Sequence, residues 1–124
     1  PGSKRQIPLV GSSLWAARRV LNQINDNPFA FPRYCSTQGH KTNSASAALN
    51  KWLKSQSSTD PVVHSFRHSF RDRLRAIECP ADIIDQIGGW SSSSVGSSYG
   101  NGYTIEVLGR WMNEFVHHQR PSSQ

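Results

Sequence analysis

The stretch HSFRHSFR, residues 64–71, repeats one tetrapeptide and places each His three residues before an Arg. At 100° per residue its basic positions and one later arginine fall within a sector of about 100°, opposite the apolar positions. The basic set is His64, Arg67, His68, Arg71 and Arg75, and the apolar set is Phe66, Phe70, Leu74 and Ile77. This pattern predicts a helix to about Glu78 with one buried face and one cationic face.

The cationic face has two interpretations. It is either a solvated charged surface or a surface that binds an anion. Asp72 and Glu78 are expected to point elsewhere, and His64 and Arg67 lie in the first turn, where free N–H groups and the helix dipole favour an anion. The first copy of the tetrapeptide is therefore the better anion site, and the second copy is expected to pack or pair within the protein.

The rest of the chain predicts a mainly α fold with a small β element near the N-terminus. Residues 5–10 (RQIPLV) are expected to form a short edge strand, and residues 25–34 a loop that sends Phe29 and Phe31 into the core. Further helices are predicted from Ser12 or Ser13 to about Asn25, from Asn43 or Ser44 to about Ser55, from Pro80 to Gly88-Gly89, and over residues 104–118. Their predicted buried positions include Ala45, Ala48, Leu49 and Trp52 in the second helix, and Ile83, Ile84 and Ile87 in the fourth.

The composition narrows the class of partner. The 124 residues fit one domain, and 14 Lys and Arg against 8 Asp and Glu give a formal net charge of +6. This balance favours nucleic acid or an anionic membrane surface. Cys35 and Cys79 have neither disulfide nor metal spacing, which suggests a reducing cytosol. No signal peptide, membrane-spanning run, cofactor or metal is expected, and Pro1-Gly2-Ser3 has the look of a cloning scar before a partial domain at 4–124.

Four positions in register resemble the tyrosine recombinase (phage integrase) family. They are the His64-x-x-Arg67 box, followed by His68 and Ser69, then Gly88-Gly89-Trp90, then Tyr99. The steps of 23 residues from Arg67 to Trp90 and 9 from Trp90 to Tyr99 are the usual ones in that family. The resemblance implies that the chain is the helical C-terminal portion of a recombinase catalytic domain.

The resemblance also implies a reaction and roles. Tyr99 would attack a phosphate of double-stranded DNA and form a 3′-phosphotyrosyl bond, with no metal or cofactor. Arg67 would hold the phosphate oxygens and His64 would assist proton transfer. Trp90 would either position the phosphate or serve as a packing residue of the core. Tyr103, four residues after Tyr99, is the alternative nucleophile. The source would be a bacterium or prophage, with the protein on cytoplasmic DNA.

Two catalytic groups of the family, an upstream Arg and a Lys on a hairpin, have no clear counterpart, and Lys4 matches the Lys poorly. The parent protein is therefore expected to be active, and the isolated fragment inactive or very weak. The helix at 104–118 would either pack on its own core or join a second copy. The competing interpretations are a non-enzymatic helical DNA-binding module and a basic protein-interaction domain.

Overall fold

The computed structural model of the protein describes residues 4–90 and 102–118. Within them lie five helices and one short antiparallel hairpin that pairs Cys35 with His40 and Ser36 with Gly39. The elements are α1 (Gly11–Gln23), β1 (Cys35–Ser36), β2 (Gly39–His40), α2 (Thr42–Gln56), α3 (Val63–Ala76), α4 (Ala81–Gly88) and α5 (Ile105–His118). The predicted mainly α class is confirmed. None of the helices in these ranges has the length and apolar content that crossing a bilayer requires.

The chain divides into two compact units. We call Pro1–Trp15 with Ser69–Gln124 the core unit, and Ala16–His68 the basic unit. Every buried side chain in the described ranges belongs to the core unit. These side chains are Leu74, Cys79, Ile83, Ile84, Ile87, Leu108 and Met112. Burial of this apolar cluster is the main source of stability that the described residues contain.

Local signals set both ends of α4. Pro80 precedes the helix at the N-cap, and Asp82 in the first turn accepts the backbone N–H of Ile83 through Oδ1 at 3.0 Å. At the other end, Gly89 adopts the left-handed conformation with φ of 66°, which costs glycine little. The backbone N–H groups of Gly89 and Trp90 both donate to the carbonyl of Asp85. The predicted start, end and inward isoleucines of this helix are confirmed.

The apolar side chains of the last helix, α5, pack within the core unit. Leu108 and Met112 are buried, and Trp111 and Phe115 are partly buried against the same cluster. Phe115 also meets Phe70 of α3 edge to face, with ring centroids 5.0 Å apart. Such aromatic pairs contribute about 0.5–1.5 kcal/mol beyond their buried area. The stripe of α5 is thus used, at least in part, within its own unit.

The basic unit contrasts with the core unit, because none of residues 16–68, all of them described, is buried. Leu49 and Trp52 of α2 are 52% and 59% exposed, so the predicted burial of this stripe is wrong. Phe31 is also exposed, which contradicts its predicted place in the core, whereas Phe29 is half-buried. The apolar spacing of α2 identifies a face correctly, but spacing alone does not say whether another element covers that face.

The predicted strand at residues 5–10 is not formed. The segment has neither helix nor strand, since no strand within residues 4–90 and 102–118 pairs with its backbone and Pro8 has no N–H to donate. Arg5 instead donates from Nε to the carbonyl of Ile87 at 2.9 Å, which attaches this segment to the end of α4. The small β element of the fold is the hairpin of β1 and β2.

Two helix starts differ slightly from the predictions. In α1, which begins at Gly11, Ser13 Oγ accepts the N–H of Val10 at 3.1 Å and donates to its carbonyl at 2.7 Å. In α2, Lys41 occupies the N-cap without a side-chain hydrogen bond, so neither Asn43 nor Ser44 caps the helix. The predicted ends agree with the observed ones to within about two residues.

Candidate functional site

The start of α3 carries His64 and Arg67 on one face. Their spacing of three residues places them one turn apart, with His64 exposed and Arg67 half-buried. Asn50 of α2 accepts the backbone N–H of Val63 through Oδ1 at 2.8 Å, and so fixes the first residue of the helix. The backbone N–H of Ser65 donates to the carbonyl of Val62 at 2.9 Å. The anion-binding capacity of this helix end therefore rests on the side chains more than on free N–H groups.

His68, from the second copy of the tetrapeptide, contacts His64. Their rings meet edge to face with centroids 5.2 Å apart and an interplanar angle of 75°. Because the two residues lie one turn apart on the same helix, this contact restricts the rotamers that His64 can adopt. The proposed supporting role of His68 stays a prediction, and the contact gives it a physical basis.

The rest of the cationic face is engaged within the core unit. The Nη2 atom of Arg71 lies 3.9 Å from Asp85 Oδ1, and its guanidinium stacks over the Trp90 ring at 5.1 Å. Arg75 pairs with Asp72 at 3.7 Å, so the expectation that Asp72 points away from this face is wrong. The pairing of the second-copy arginine within the protein is the outcome that the sequence favoured for it.

The apolar face of α3 is buried only toward its C-terminal half. Leu74 is completely buried, and Phe70 and Ile77 pack partly against the same cluster. Phe66, by contrast, is 58% exposed, and its predicted inward position is wrong. Phe66 belongs to the basic unit, which has no buried cluster of its own, and this accounts for the difference.

Trp90 lies two residues after the end of α4 and is half-buried. Its six-membered ring lies so close to Gly88 that a Cβ atom at that position would be 1.6 Å from Cζ3 of the ring. Only glycine leaves this space open. Indole offers one N–H donor and no titrating group, so the chemistry available at this position is positioning by hydrogen bond and contact.

Tyr99, the predicted nucleophile, lies outside the described residues. Its alternative, Tyr103, is held against α4 by three hydrogen bonds. The phenol donates to Asp82 Oδ2 at 2.5 Å, the backbone N–H donates to Gln86 Oε1 at 2.8 Å, and the carbonyl accepts from Gln86 Nε2 at 2.9 Å. The hydrogen bond to Asp82 is the main cause that raises the pKa of the Tyr103 phenol, and desolvation and the carboxylate charge add to it.

These three hydrogen bonds of Tyr103 were not predicted from the sequence. Asp82 and Gln86 lie four residues apart on α4 and therefore share one face. Two polar side chains on one face of α4, four residues apart, are a signal that a polar group approaches that face. This spacing does not indicate which residue is the partner, because Tyr103 lies 17 residues after Gln86 in the sequence.

No group of three or more His, Cys, Asp or Glu side chains within residues 4–90 and 102–118 is arranged to hold a metal ion. Both cysteines are free thiols, and burial followed by the charge of Asp82 raises the pKa of Cys79 to about 11. A thiol so shifted is a poor nucleophile at neutral pH.

His64 and Arg67 belong to the basic unit and Trp90 to the core unit, and Tyr99 is not described. The convergence of these four residues on one phosphate stays a prediction. A family model described as the phage integrase family matches residues 2–104, which is most of the chain and includes all four positions. No curated protein and no solved structure matches the chain.

Proposed function

The chain belongs to the phage integrase family of site-specific recombinases, and on that premise we propose that it supplies the C-terminal part of a tyrosine recombinase catalytic site. The substrate would be double-stranded DNA, and the reaction would be strand cleavage and rejoining. The observation that carries the proposal is the family match over residues 2–104, a range that includes His64, Arg67, Trp90 and Tyr99.

In the proposed step, the phenol oxygen of Tyr99 attacks the scissile phosphorus. A bond forms between phosphorus and the tyrosine oxygen as the bond to the 5′-oxygen breaks, which leaves a 3′-phosphotyrosyl link and a 5′-hydroxyl. The phenol loses its proton to a base, and the departing 5′-oxygen gains one. Because one phosphoester replaces another, the bond energy is conserved and the reverse attack rejoins the strand.

Arg67 and His64 would act on the same phosphate. The guanidinium of Arg67 would hold the non-bridging oxygens and stabilise the charge that grows on them in the transition state. His64, one turn away on the same face of α3, would hydrogen-bond the phosphate and assist proton transfer. The anchoring of Val63 by Asn50 supports this assignment, because it fixes the first turn of α3, which holds His64 and directly precedes Arg67.

The geometry of Tyr103 favours Tyr99 as the nucleophile. An attacking phenol must lose its proton, and the ordinary pKa of tyrosine is already about 10. The Tyr103 hydroxyl donates to Asp82, which raises its pKa further and directs its oxygen toward a carboxylate. A phosphate brought to this oxygen would also meet the negative charge of Asp82. Tyr103 is therefore poorly suited to attack an anionic phosphate.

We further propose that the active protein includes the upstream Arg and the hairpin Lys that the family resemblance implies, and that residues 4–124 alone cleave DNA very weakly. Lys4 is exposed and is the only lysine near the expected place of the hairpin Lys. Assembly of copies through α5 stays a prediction, which light scattering during size-exclusion chromatography would test.

The experiment that tests this function uses the recombinase extended to include those two groups. It is incubated with a pool of nicked duplex oligonucleotides of randomised sequence, in which cleavage releases a short strand and traps the covalent adduct. We expect an adduct that survives boiling in detergent, that is abolished by Tyr99→Phe and by Arg67→Ala, and that is retained by the matched control Tyr103→Phe.

The competing function, a non-enzymatic DNA-binding module, makes a different prediction in the same experiment. It predicts DNA binding that weakens steeply with salt but produces no covalent adduct with any variant. An adduct that persists in Tyr99→Phe would contradict the residue assignment but leave a covalent mechanism in place. The absence of any adduct from the extended protein would contradict the recombinase function itself.

A further inference from the structure

The indole of Trp90 is held on two sides by residues that the family assignment leaves without a role. On one side the ring occupies the space left by the missing side chain of Gly88. On another, the guanidinium carbon of Arg71 lies 5.1 Å from the ring centroid, within the range of a cation–π contact. Both contacts lie within the core unit, where Trp90 is half-buried.

Asp85 connects the two contacts. Its backbone carbonyl accepts the N–H of Trp90 at 3.0 Å, and its carboxylate lies 3.9 Å from Nη2 of Arg71. One residue of α4 thus fixes the main chain of Trp90 and attracts the cation that covers its ring. The three side chains and the glycine form a single cluster, which we call the indole bracket: Arg71, Asp85, Gly88 and Trp90.

Arg71 is constrained in this position. Its Nε atom is buried and has no hydrogen-bond partner among the described residues. Burying a donor without a hydrogen-bond partner costs free energy, so an unconstrained side chain would adopt a rotamer that exposes this donor to water. The stacking on Trp90 and the attraction to Asp85 offset that cost. The conformation of Arg71 and that of the indole therefore depend on each other.

We propose that Arg71 is a positioning residue that acts through Trp90, and that Gly88 provides the space in which the indole is held. This inference rests on the proposed function and on the role that the family resemblance implies for Trp90, in which the indole N–H would position the scissile phosphate. Arg71 contributes by fixing the angle of that N–H, without touching DNA. The role is distinct from that of Arg67, one turn earlier on α3, which would contact the phosphate directly.

The structural half of the proposal is tested on the 124-residue chain without DNA. The indole N–H groups of its four tryptophans give separate signals in a ¹⁵N-labelled NMR spectrum, and Trp90→Phe identifies the signal of Trp90. We expect Arg71→Ala to shift or broaden that signal alone. The matched control is Arg75→Ala, which removes an exposed arginine one turn further along α3 and should leave the Trp90 signal in place. An unchanged Trp90 signal in Arg71→Ala would overturn the proposal.

The catalytic half is tested by a double-mutant cycle in the adduct-forming experiment, with the extended protein. Loss of one cation–π contact predicts that Arg71→Ala slows adduct formation about tenfold, with Arg71→Lys in between because it keeps the charge but not the planar stack. In a Trp90→Ala background, Arg71→Ala should cause no further loss, since residues that act as a unit are not additive.

Two results would overturn this half. Equal losses in both backgrounds would mean that Arg71 acts independently of Trp90, for example by contacting DNA. A full rate in Arg71→Ala would mean that the bracket has no catalytic consequence. The failure of the proposed function would give a different result, which is an adduct that does not depend on Tyr99 or no adduct at all. In that case the NMR experiment would still show whether Arg71 fixes the position of the indole.

Discussion

The core unit and the basic unit have similar numbers of cations and very different numbers of acids. Each contains seven Lys and Arg residues, but the core unit has six Asp and Glu and the basic unit has two, giving formal net charges of +1 and +5. All the buried side chains of the described ranges lie in the core unit. The comparison teaches that the buried core and the excess of positive charge, which we propose attracts DNA, lie in different parts of one chain.

The charges of the core unit are largely used internally. Arg71 faces Asp85, Arg75 faces Asp72, and Arg73 stacks on Phe115 at 4.8 Å. In the basic unit, Lys54 and Asp60 form an ion pair at 3.1 Å that joins two exposed side chains. Exposed pairs of this kind contribute about 0–1 kcal/mol, so this pair adds little to the stability of the basic unit.

The largest expected difference between the units concerns two leucines. Leu108 is 1% exposed in the core unit and Leu49 is 52% exposed in the basic unit. We expect Leu108→Ala to lower the free energy of unfolding by about 3 kcal/mol, because it removes buried methyl groups and leaves a cavity. The same change at Leu49 should cost less than about 1 kcal/mol. Urea unfolding of both variants, followed by circular dichroism, measures the two values.

Equal losses in these two variants would break the comparison, because they would mean that α2 is covered as thoroughly as α5. A loss of less than about 1 kcal/mol at Leu108 would contradict the assignment of the core.

A smaller effect is expected from alkaline pH. The pKa of Cys79 is about 11 in the folded protein against 9.0 for an ordinary thiol, so the unfolded chain releases this proton first. Between pH 9 and 11 the folded state binds more protons, and stability falls as pH rises, with a slope approaching about 1.4 kcal/mol per pH unit from this group. Cys79→Ala should remove this part of the pH dependence when unfolding is measured from pH 8 to 11. An identical pH profile in the variant would show that Cys79 does not contribute.

The smallest effect distinguishes the units by their affinity for DNA. Arg18 on α1 lies in the basic unit and Arg110 on α5 lies in the core unit, and both are exposed. We expect Arg18→Gln to reduce the slope of log affinity against log salt by about 0.9, as for one lost phosphate contact. Arg110→Gln should leave the slope nearly unchanged. Fluorescence anisotropy with a labelled duplex at several salt concentrations measures both slopes, and a larger change for Arg110→Gln would reverse the assignment.

The sequence predicted α4 and α5 well because their signals are local. Pro80, the isoleucine spacing and the Gly88-Gly89 pair are enough to begin, orient and end α4. The exposure of Leu49, Trp52 and Phe66 was not predictable, since it depends on whether another element covers a face. The strand at residues 5–10 was mispredicted for a related reason, because a strand requires a partner that local spacing does not reveal.

The candidate site was predicted from the spacing of its motif and stays a prediction, and the structure adds contacts that the motif does not contain. The indole bracket joins residues of α3 and α4 with the residue that follows α4, and the hold on Tyr103 joins α4 to the chain before α5. Both depend on contacts between residues far apart in the sequence, and such contacts leave no periodic pattern in a single sequence.

The most direct test of the central claim is to identify the residue that carries the DNA. The covalent adduct from the extended recombinase is digested with nuclease and protease, and the peptide bearing a nucleotide is sequenced by mass spectrometry. We predict that the nucleotide is linked to the oxygen of Tyr99. A nucleotide on Tyr103, on Tyr34 or on a serine would contradict the account.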